Sequence, residues 1–242
     1  MYHQNLYINS ISRQNGTANN FTVQLPKPIK DVECILVKSV EIPFSFFVIT
    51  TAKNTFKFFN TSTTYTVTIT PGNYSSSELV TELQTKMNSA FAGNTVTFSN
   101  ITNKLTFANA SPIKLIYAGN TIAPIIGLSA DTSSGTSVTC QNVLDLTGTN
   151  HIYVMSDIVD SAQNIPYCDS NKRGILHRVV NDQGPGAIII DKAQAYLASE
   201  YYFNSQFILS TFQLRLVDEN FVDLDLNGLD WNIELHCKLR TL

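Results

Sequence analysis

Charge is scarce in this sequence. Charged residues make up 14% of the chain, against about 25% in ordinary soluble proteins, and Ser, Thr and Asn fill the gap. Two readings of that surface stay open: part of it faces protein, since interface cores are depleted of charge, or it is a polar, uncharged β-protein surface. The net charge is −3 and neither end carries a basic run, so nucleic-acid binding lacks its electrostatic footprint. No run of about 18 apolar residues is present, so no transmembrane helix is expected. The N-terminal MYHQNLYINSISRQNG has neither the basic nor the apolar region of a signal peptide, which predicts folding in a reducing compartment. Cys34, Cys140, Cys168 and Cys237 are widely separated, without metal-ligand spacing. Cys34 and Cys237 fall in strand patterns and are expected as buried thiols. Without a signal peptide, the Asn-x-Ser/Thr sequons at Asn15, Asn20, Asn60, Asn73, Asn100 and Asn109 reflect an Asn- and Thr-rich composition.

What is present is alternation. In the closing TFQLRLVDENFVDLDLNGLDWNIELHCKL, Phe212, Leu214 and Leu216 alternate with Gln213 and Arg215; Val222, Leu224 and Leu226 with Asp223 and Asp225; and Trp231, Ile233, Leu235, Cys237 and Leu239 with Asn232, Glu234, His236 and Lys238. A period of two predicts half-buried antiparallel strands, and Asn227-Gly228 supplies the positive φ of a tight reversal. The same letters spell an EF-hand calcium loop: Asp223-x-Asp225-x-Asn227-Gly228, then Glu234. That motif needs flanking helices and an aliphatic residue where Asp230 stands. The reading here is a β-turn with solvated carboxylates.

Further strands are predicted at Phe21–Leu25, ending at Pro26-Lys27-Pro28; Val32–Pro43; Thr55–Phe59; Tyr65–Ile69; Thr95–Phe98; Lys104–Phe107; Lys114–Tyr117; Ser137–Leu146; His151–Ser156; Gly174–Val180; and Ala187–Asp191, the last after a Gly184-Pro185-Gly186 turn. One helix is expected over about 76–91. Ser75-x-x-Glu78 is a capping box, Leu79, Val80, Leu83, Met87 and Phe91 share a face, and Gly93 stops it. Residues 61–130 read as an inserted helix-plus-hairpin module, and 1–60 with 131–242 as the host domain. The host's strands number about eight, the count of a double-sheet jelly roll. The expected fold is an all-β, eight-stranded jelly-roll sandwich with a small inserted α+β module. Residues 1–20 are expected to form a polar arm ordering against a neighbouring subunit, so that deleting them weakens assembly and spares the fold.

Catalytic chemistry finds little to stand on. His3, His151, His177 and His236 are isolated, no nucleophile elbow surrounds a serine, and Gly184-x-Gly186 lacks the lysine of a phosphate loop. Asp157 and Asp160 read as solvated surface. No catalytic, cofactor-binding or metal-binding residue is assigned, and no cofactor is expected. Sugar binding through loop aromatics and Asn/Asp fits the composition.

Three segments carry a resemblance: FTVQLPKPIKDVECILVKSVEIPFSFFVI; YTVTITPGNYSSSELVTELQTKMN with the following TVTFSNITNKLTFAN; and RLVDENFVDLDLNGLDWNIELHCKL. Together they resemble the penton (minor capsid, vertex) proteins of virophages and of related Polinton-like elements and large eukaryotic DNA viruses. The resemblance implies a non-enzymatic jelly-roll subunit that forms homopentamers at the fivefold vertices of an icosahedral capsid. Its neighbour there would be a double-jelly-roll major capsid protein. The insertion would be the extra domain such vertex proteins often carry. The implied location is the virion, after assembly in the host cytoplasm, without nucleic acid or a membrane span as partner. The alternative is a jelly-roll spike module that binds a host receptor or glycan.

Overall fold

The computed structural model describes residues 2–163, 174–192, 200–204 and 207–240. In chain order, its strands are β1 (Tyr2–Asn9), β2 (Gly16–Thr17), β3 (Asn20–Ile29), β4 (Val32–Pro43), β5 (Thr55–Asn60), β6 (Thr63–Thr68), β7 (Thr95–Ser99), β8 (Lys104–Leu115), β9 (Gly135–Thr139), β10 (His151–Met155), β11 (Ile175–Val180), β12 (Ile188–Lys192), β13 (Glu200–Tyr202), β14 (Leu209–Val217) and β15 (Asn232–Leu239). The helix α1 (Ser76–Ala90) lies between β6 and β7. The chain divides into two compact units, 1–46 with 149–242 and 47–148.

The first unit is two antiparallel sheets, ordered β1-β15-β4-β12, with β13 also on β4, and β11-β10-β14-β3-β2. Four pairings define it, and they are nested. The outermost, β1 with β15, encloses β3 with β14; that encloses β4 with β12 and β13; innermost is β10 with β11. Successive pairs fall alternately in one sheet and the other, and β15–β4 and β14–β10 join them. A long hairpin rolled over itself gives this pattern, the jelly roll. β12 and β13 pair with successive stretches of β4 and fill one strand position between them. β2 is a two-residue extension on β3. Eight strand positions therefore make up the sandwich, the number expected from sequence, although β1 stands among them and Thr55–Phe59, Ser137–Leu146 and Val222–Leu226 do not.

Period two makes the core. Ile35, Val37, Leu214, Leu216, Ile233 and Leu235 are fully or almost fully buried between the sheets, each contributing about 1.5–3 kcal/mol of apolar burial. Trp231 is 1% exposed; its indole N–H donates to the Ala18 carbonyl at 2.7 Å, and its ring meets Phe21 edge-on at 6.0 Å.

Three local expectations are corrected. Residues 2–9 are not a free arm: they are strand β1, in register with β15 from Tyr2↔Leu239 to Asn9↔Asn232. Leu6 and Ile8 pack on the core, but the stretch is otherwise polar, too weak an alternation to read alone. Deleting it removes part of the sandwich, so the expectation of an unaltered fold is withdrawn. Val222–Leu226 is not a strand; only the bridge Val217↔Asp223 survives there. β3 does not end at Pro26 but runs to Ile29. Its prolines fall where the register jumps between Thr211↔Gln24 and Leu209↔Ile29, an irregularity that needs no N–H from them.

The second unit has its own sheet, β6-β5-β8-β7 with β9 on β8, and its own core. α1 begins as its capping box dictates: Ser75 Oγ accepts from the Glu78 N–H at 3.3 Å, and Glu78 Oε2 accepts from the Ser75 N–H at 2.8 Å. Leu79, Leu83 and Met87 are fully buried in the same cluster as Phe56, Phe58 and Phe107. This unit is wider than the 61–130 drawn from sequence. β5 and β9, which the sequence assigns to the host domain, are hydrogen-bonded to β8. Alternation marks a strand without naming its partner. Within this unit, Gly148 (φ 70°) lies so close to Val48 that a Cβ there would overlap its side chain, so the unit's first and last residues run side by side.

Candidate interaction surface

The carboxylates that spell a calcium loop are engaged in other work. Asp223 pairs with Arg215 Nε. Asp225 Oδ1 accepts from the Asn227 N–H at 2.9 Å, preparing the turn whose centre is Asn227 (φ 50°) and Gly228 (φ 84°) and which closes with Leu229 N–H to Leu226 O at 3.1 Å. Two positive φ values in succession are the type I′ geometry. Glu234 lies on β15, where Oε1 accepts from Asn5 Nδ2 at 3.0 Å and Lys38 Nζ at 3.4 Å. No helix flanks the loop.

Asp230 holds a corner that the sequence does not announce. Its Oδ1 accepts from Ser10 Oγ at 2.6 Å and from Arg13 NH1 at 2.7 Å. The Trp231 N–H donates to Ser10 Oγ at 3.0 Å, and the Ser10 N–H donates to Trp231 O at 3.0 Å. The end of β1 is thereby tied to the start of β15. The only sequence signal was Asp230 standing where the calcium-loop formula wants an aliphatic residue.

The outer face of the β1-β15-β4 sheet carries a directed hydrogen-bond chain. Lys38 and Asn5 Nδ2 donate to Glu234, so Asn5 Oδ1 is left to accept, and it does so from His236 Nδ1 at 2.6 Å. His236 Nδ1 therefore bears the proton and its Nε2 accepts from His3 Nδ1 at 3.0 Å. The rings stack at 4.9 Å. Burial first, then His3, Lys38 and Lys238, hold the His236 pKa below its ordinary value. Beside it, Lys238 donates to Glu200 at 2.9 Å. The Tyr202 hydroxyl and Lys238 keep Glu200 below the usual carboxylate range.

The remaining sequence candidates stay apart. His177, 9% exposed, joins β11 to β12 through Asp191 at 2.8 Å. His151 starts β10 and lies with neither. Asp157 accepts from the Gln213 N–H at 2.8 Å; Asp160 is exposed in the same short 3-10 turn, 157–161. Gly184-Pro185-Gly186 is a turn before β12, with Gly186 N–H donating to Phe44 O at 2.9 Å. Burial raises Cys34 to about 11, and Cys140 and Cys237 to about 12, which makes them inert thiols. Cys168 lies outside the described residues. Among the described residues, no group of three or more His, Cys, Asp or Glu could hold a metal ion.

The two flanks of the sandwich present apolar side chains of different kinds. One flank ends in β11 and β12, with Val180, Ile188 and Ile190 more than half exposed. The other ends in β1 and β2, with Tyr2, Tyr7 and Ile11 more than two-thirds exposed.

No family model matches the chain, and no curated protein matches it by sequence. Solved structures do share its fold. The mavirus penton protein, a crystal structure, superposes with a TM-score of 0.53 at 12% identity, covering 98% of this chain and 100% of that one. A chain of the Sputnik virophage, from a cryo-EM structure, superposes with a TM-score of 0.50 at 13% identity, covering 96% of this chain and 97% of that one. The resemblance drawn from the three sequence segments thus extends to the fold of nearly the whole chain.

Proposed function

We propose that this protein is a structural capsid subunit that forms homopentamers at the fivefold vertices of an icosahedral virion. The observation that carries this reading is the end-to-end match to the mavirus penton protein, all of whose length is covered. The flanks add a physical argument. They differ in composition, aliphatic at β11–β12 and tyrosine-rich at β1–β2. A contact between two unlike patches is heterologous, and a heterologous contact repeats around a ring until it closes. The sparse charge of the chain then reflects side-to-side burial. The role is structural rather than enzymatic. The neighbour in the shell is a double-jelly-roll major capsid protein, and assembly takes place in the host cytoplasm.

Native mass spectrometry and analytical ultracentrifugation of the purified protein test the ring. A five-subunit species is expected, converted to monomer by Ile188→Asp with Ile190→Asp, both side chains being exposed in the monomer. Monomers alone at high concentration, or a closed species of another order, would refute the pentamer. Absence of the protein from fivefold density in the particle would refute its placement.

A further inference from the structure

A polar trough lies on the outer face of the other sheet, the one that runs β11-β10-β14-β3-β2. Its volume is about 350 Å³, and it is lined by Asn15, Gly16, Thr17, Asn20, Thr22, Gln213 and Asp223 over the buried Phe21. That is the lower range of small-molecule sites. The floor follows from register: Gln213 stands opposite Thr22, and Arg215 opposite Asn20. β2 with Asn15 makes one wall. Asp223, bridged to Val217 beyond the end of β3, makes the other.

The lining is partly pre-organised and partly available. Gln213 Nε2 donates to Asn20 Oδ1 at 2.7 Å, Asn15 Oδ1 accepts from the Thr22 N–H at 3.3 Å, and Asp223 Oδ1 takes Arg215 Nε. Those bonds fix the side chains and leave their other ends: the amide N–H groups of Asn15 and Asn20, the Gln213 amide oxygen, the Thr22 hydroxyl and Asp223 Oδ2. The lining thus offers both donors and acceptors, and Arg215 balances the one carboxylate. Asp223, the one charged residue of the lining, opposes an anion, and its pairing with Arg215 offsets its pull on a cation. A neutral molecule dense in hydroxyls, each both donor and acceptor, matches the set.

An apolar platform stands on the same face. Tyr153 and Phe221 are stacked at 5.2 Å and 14°, and Tyr153 is in register with Val217, the residue that bridges Asp223. Phe221 holds φ 62°, an uncommon conformation for a bulky residue. Asp218 enforces it: its Oδ1 accepts from the N–H groups of Asn220 and Val222, and its carbonyl accepts from the Phe221 N–H. Strain of this sort persists where the surroundings over-determine it, and it concentrates at ligand clamps. Here it sets Phe221 two residues from Asp223, which walls the trough.

We infer that the trough formed by Asn15, Asn20, Thr22, Gln213 and Asp223, flanked by the Tyr153–Phe221 stack, is a binding site for a neutral saccharide. One sugar face rests against the aromatic pair and its hydroxyls are read by the amides and the carboxylate. The trough shares β2 with one of the flanks that carry the proposed ring, so each variant is also examined by analytical ultracentrifugation, which reads assembly apart from glycan binding.

The test is a glycan array probed with the intact protein, followed by titration of the best neutral hit. Asp223→Asn and Gln213→Ala, both at solvent-exposed positions, are the variants, with melting curves as the control for folding. Neutral glycans are expected to bind and anionic ones of equal size to bind less. Each variant should lower affinity at least tenfold at an unchanged melting temperature. No glycan bound at millimolar concentration, a preference for sialylated or sulfated glycans, or hits that both variants retain in full would each overturn the inference.

Discussion

Ser10→Ala isolates the corner that ties β1 to β15. Ser10 is fully buried, and its hydroxyl both donates to Asp230 at 2.6 Å and accepts from the Trp231 N–H at 3.0 Å. Removing one oxygen has two consequences. The Trp231 N–H is left without its acceptor in a buried site, a cost of about 1–3 kcal/mol. Asp230 loses one of its two side-chain donors, but it is about a quarter exposed and keeps Arg13, so water offsets much of that loss. The sum is about 2–3 kcal/mol. For a chain of this length, each kcal/mol moves the midpoint by about 2–4 °C, so a fall of about 4–12 °C is expected. Trp231, the only tryptophan, sits at the corner itself, so its fluorescence in urea reads the loss directly. A Ser10→Ala, Asp230→Asn double-mutant cycle should show coupling, because the two residues share a hydrogen bond. A loss below about 0.5 kcal/mol, the range of ordinary surface changes, would refute the claim that this corner holds the outermost strand pair.

Three other perturbations have defined outcomes. His236 has a folded pKa lowered from 6.5; its neutral form therefore stabilises the fold fully above that value, and the contribution is lost as pH falls toward the folded pKa. Urea midpoints between pH 7.5 and 5 should decline more steeply for the natural protein than for His236→Gln, and equal slopes would refute the paired-imidazole account. Gly228→Ala should cost about 1–2 kcal/mol, since nothing lies within 4 Å of the added Cβ and the penalty is backbone strain alone; a gain in stability would show that the turn is not left-handed. Ser75→Ala removes the hydroxyl that accepts from the Glu78 N–H and leaves the bond from the Ser75 N–H to Glu78; it should cost about 1 kcal/mol in thermal unfolding, with no loss refuting its role as the helix start.

The parts of this fold that can be read in one dimension are those fixed by near neighbours. α1 was legible to within a residue because capping, face and stop are local chemistry: Ser75, Glu78, Leu79, Leu83 and Gly93. The strands of the sandwich were legible because Leu214, Leu216, Ile233 and Leu235 must face one way. Partnership was not. Thr55–Asn60 alternates as a jelly-roll strand would, yet it pairs with β8. Tyr2–Asn9 has too few apolar residues to declare itself, and its place follows only once β15 stands beside it. The polar trough is further from view, because Asn15, Asn20, Gln213 and Asp223 meet only through the β3–β14 register, more than 190 positions apart.

The second unit occupies one connection of the nested pairing. The segment between β4 and β10 joins the third pair of the roll to the innermost one. A connection there must return the chain to a set place, and the entropy of closing a flexible loop grows only with the logarithm of its length. A folded insertion avoids even that growth if its own ends meet. Val48 and Gly148 do meet: Gly148 adopts φ 70° and approaches Val48 more closely than a residue with a Cβ could. The second unit thus begins and ends at adjacent positions, while its own buried phenylalanines and α1 offset the entropy of ordering it. Gly148→Val should therefore act chiefly on the second unit. Both the left-handed backbone and the overlap with Val48 oppose it, at a cost of about 2–4 kcal/mol. Hydrogen exchange should show the loss in β5, β8 and α1; protection lost first in β10 and β11 would refute the argument that the junction, rather than the roll, bears the closure.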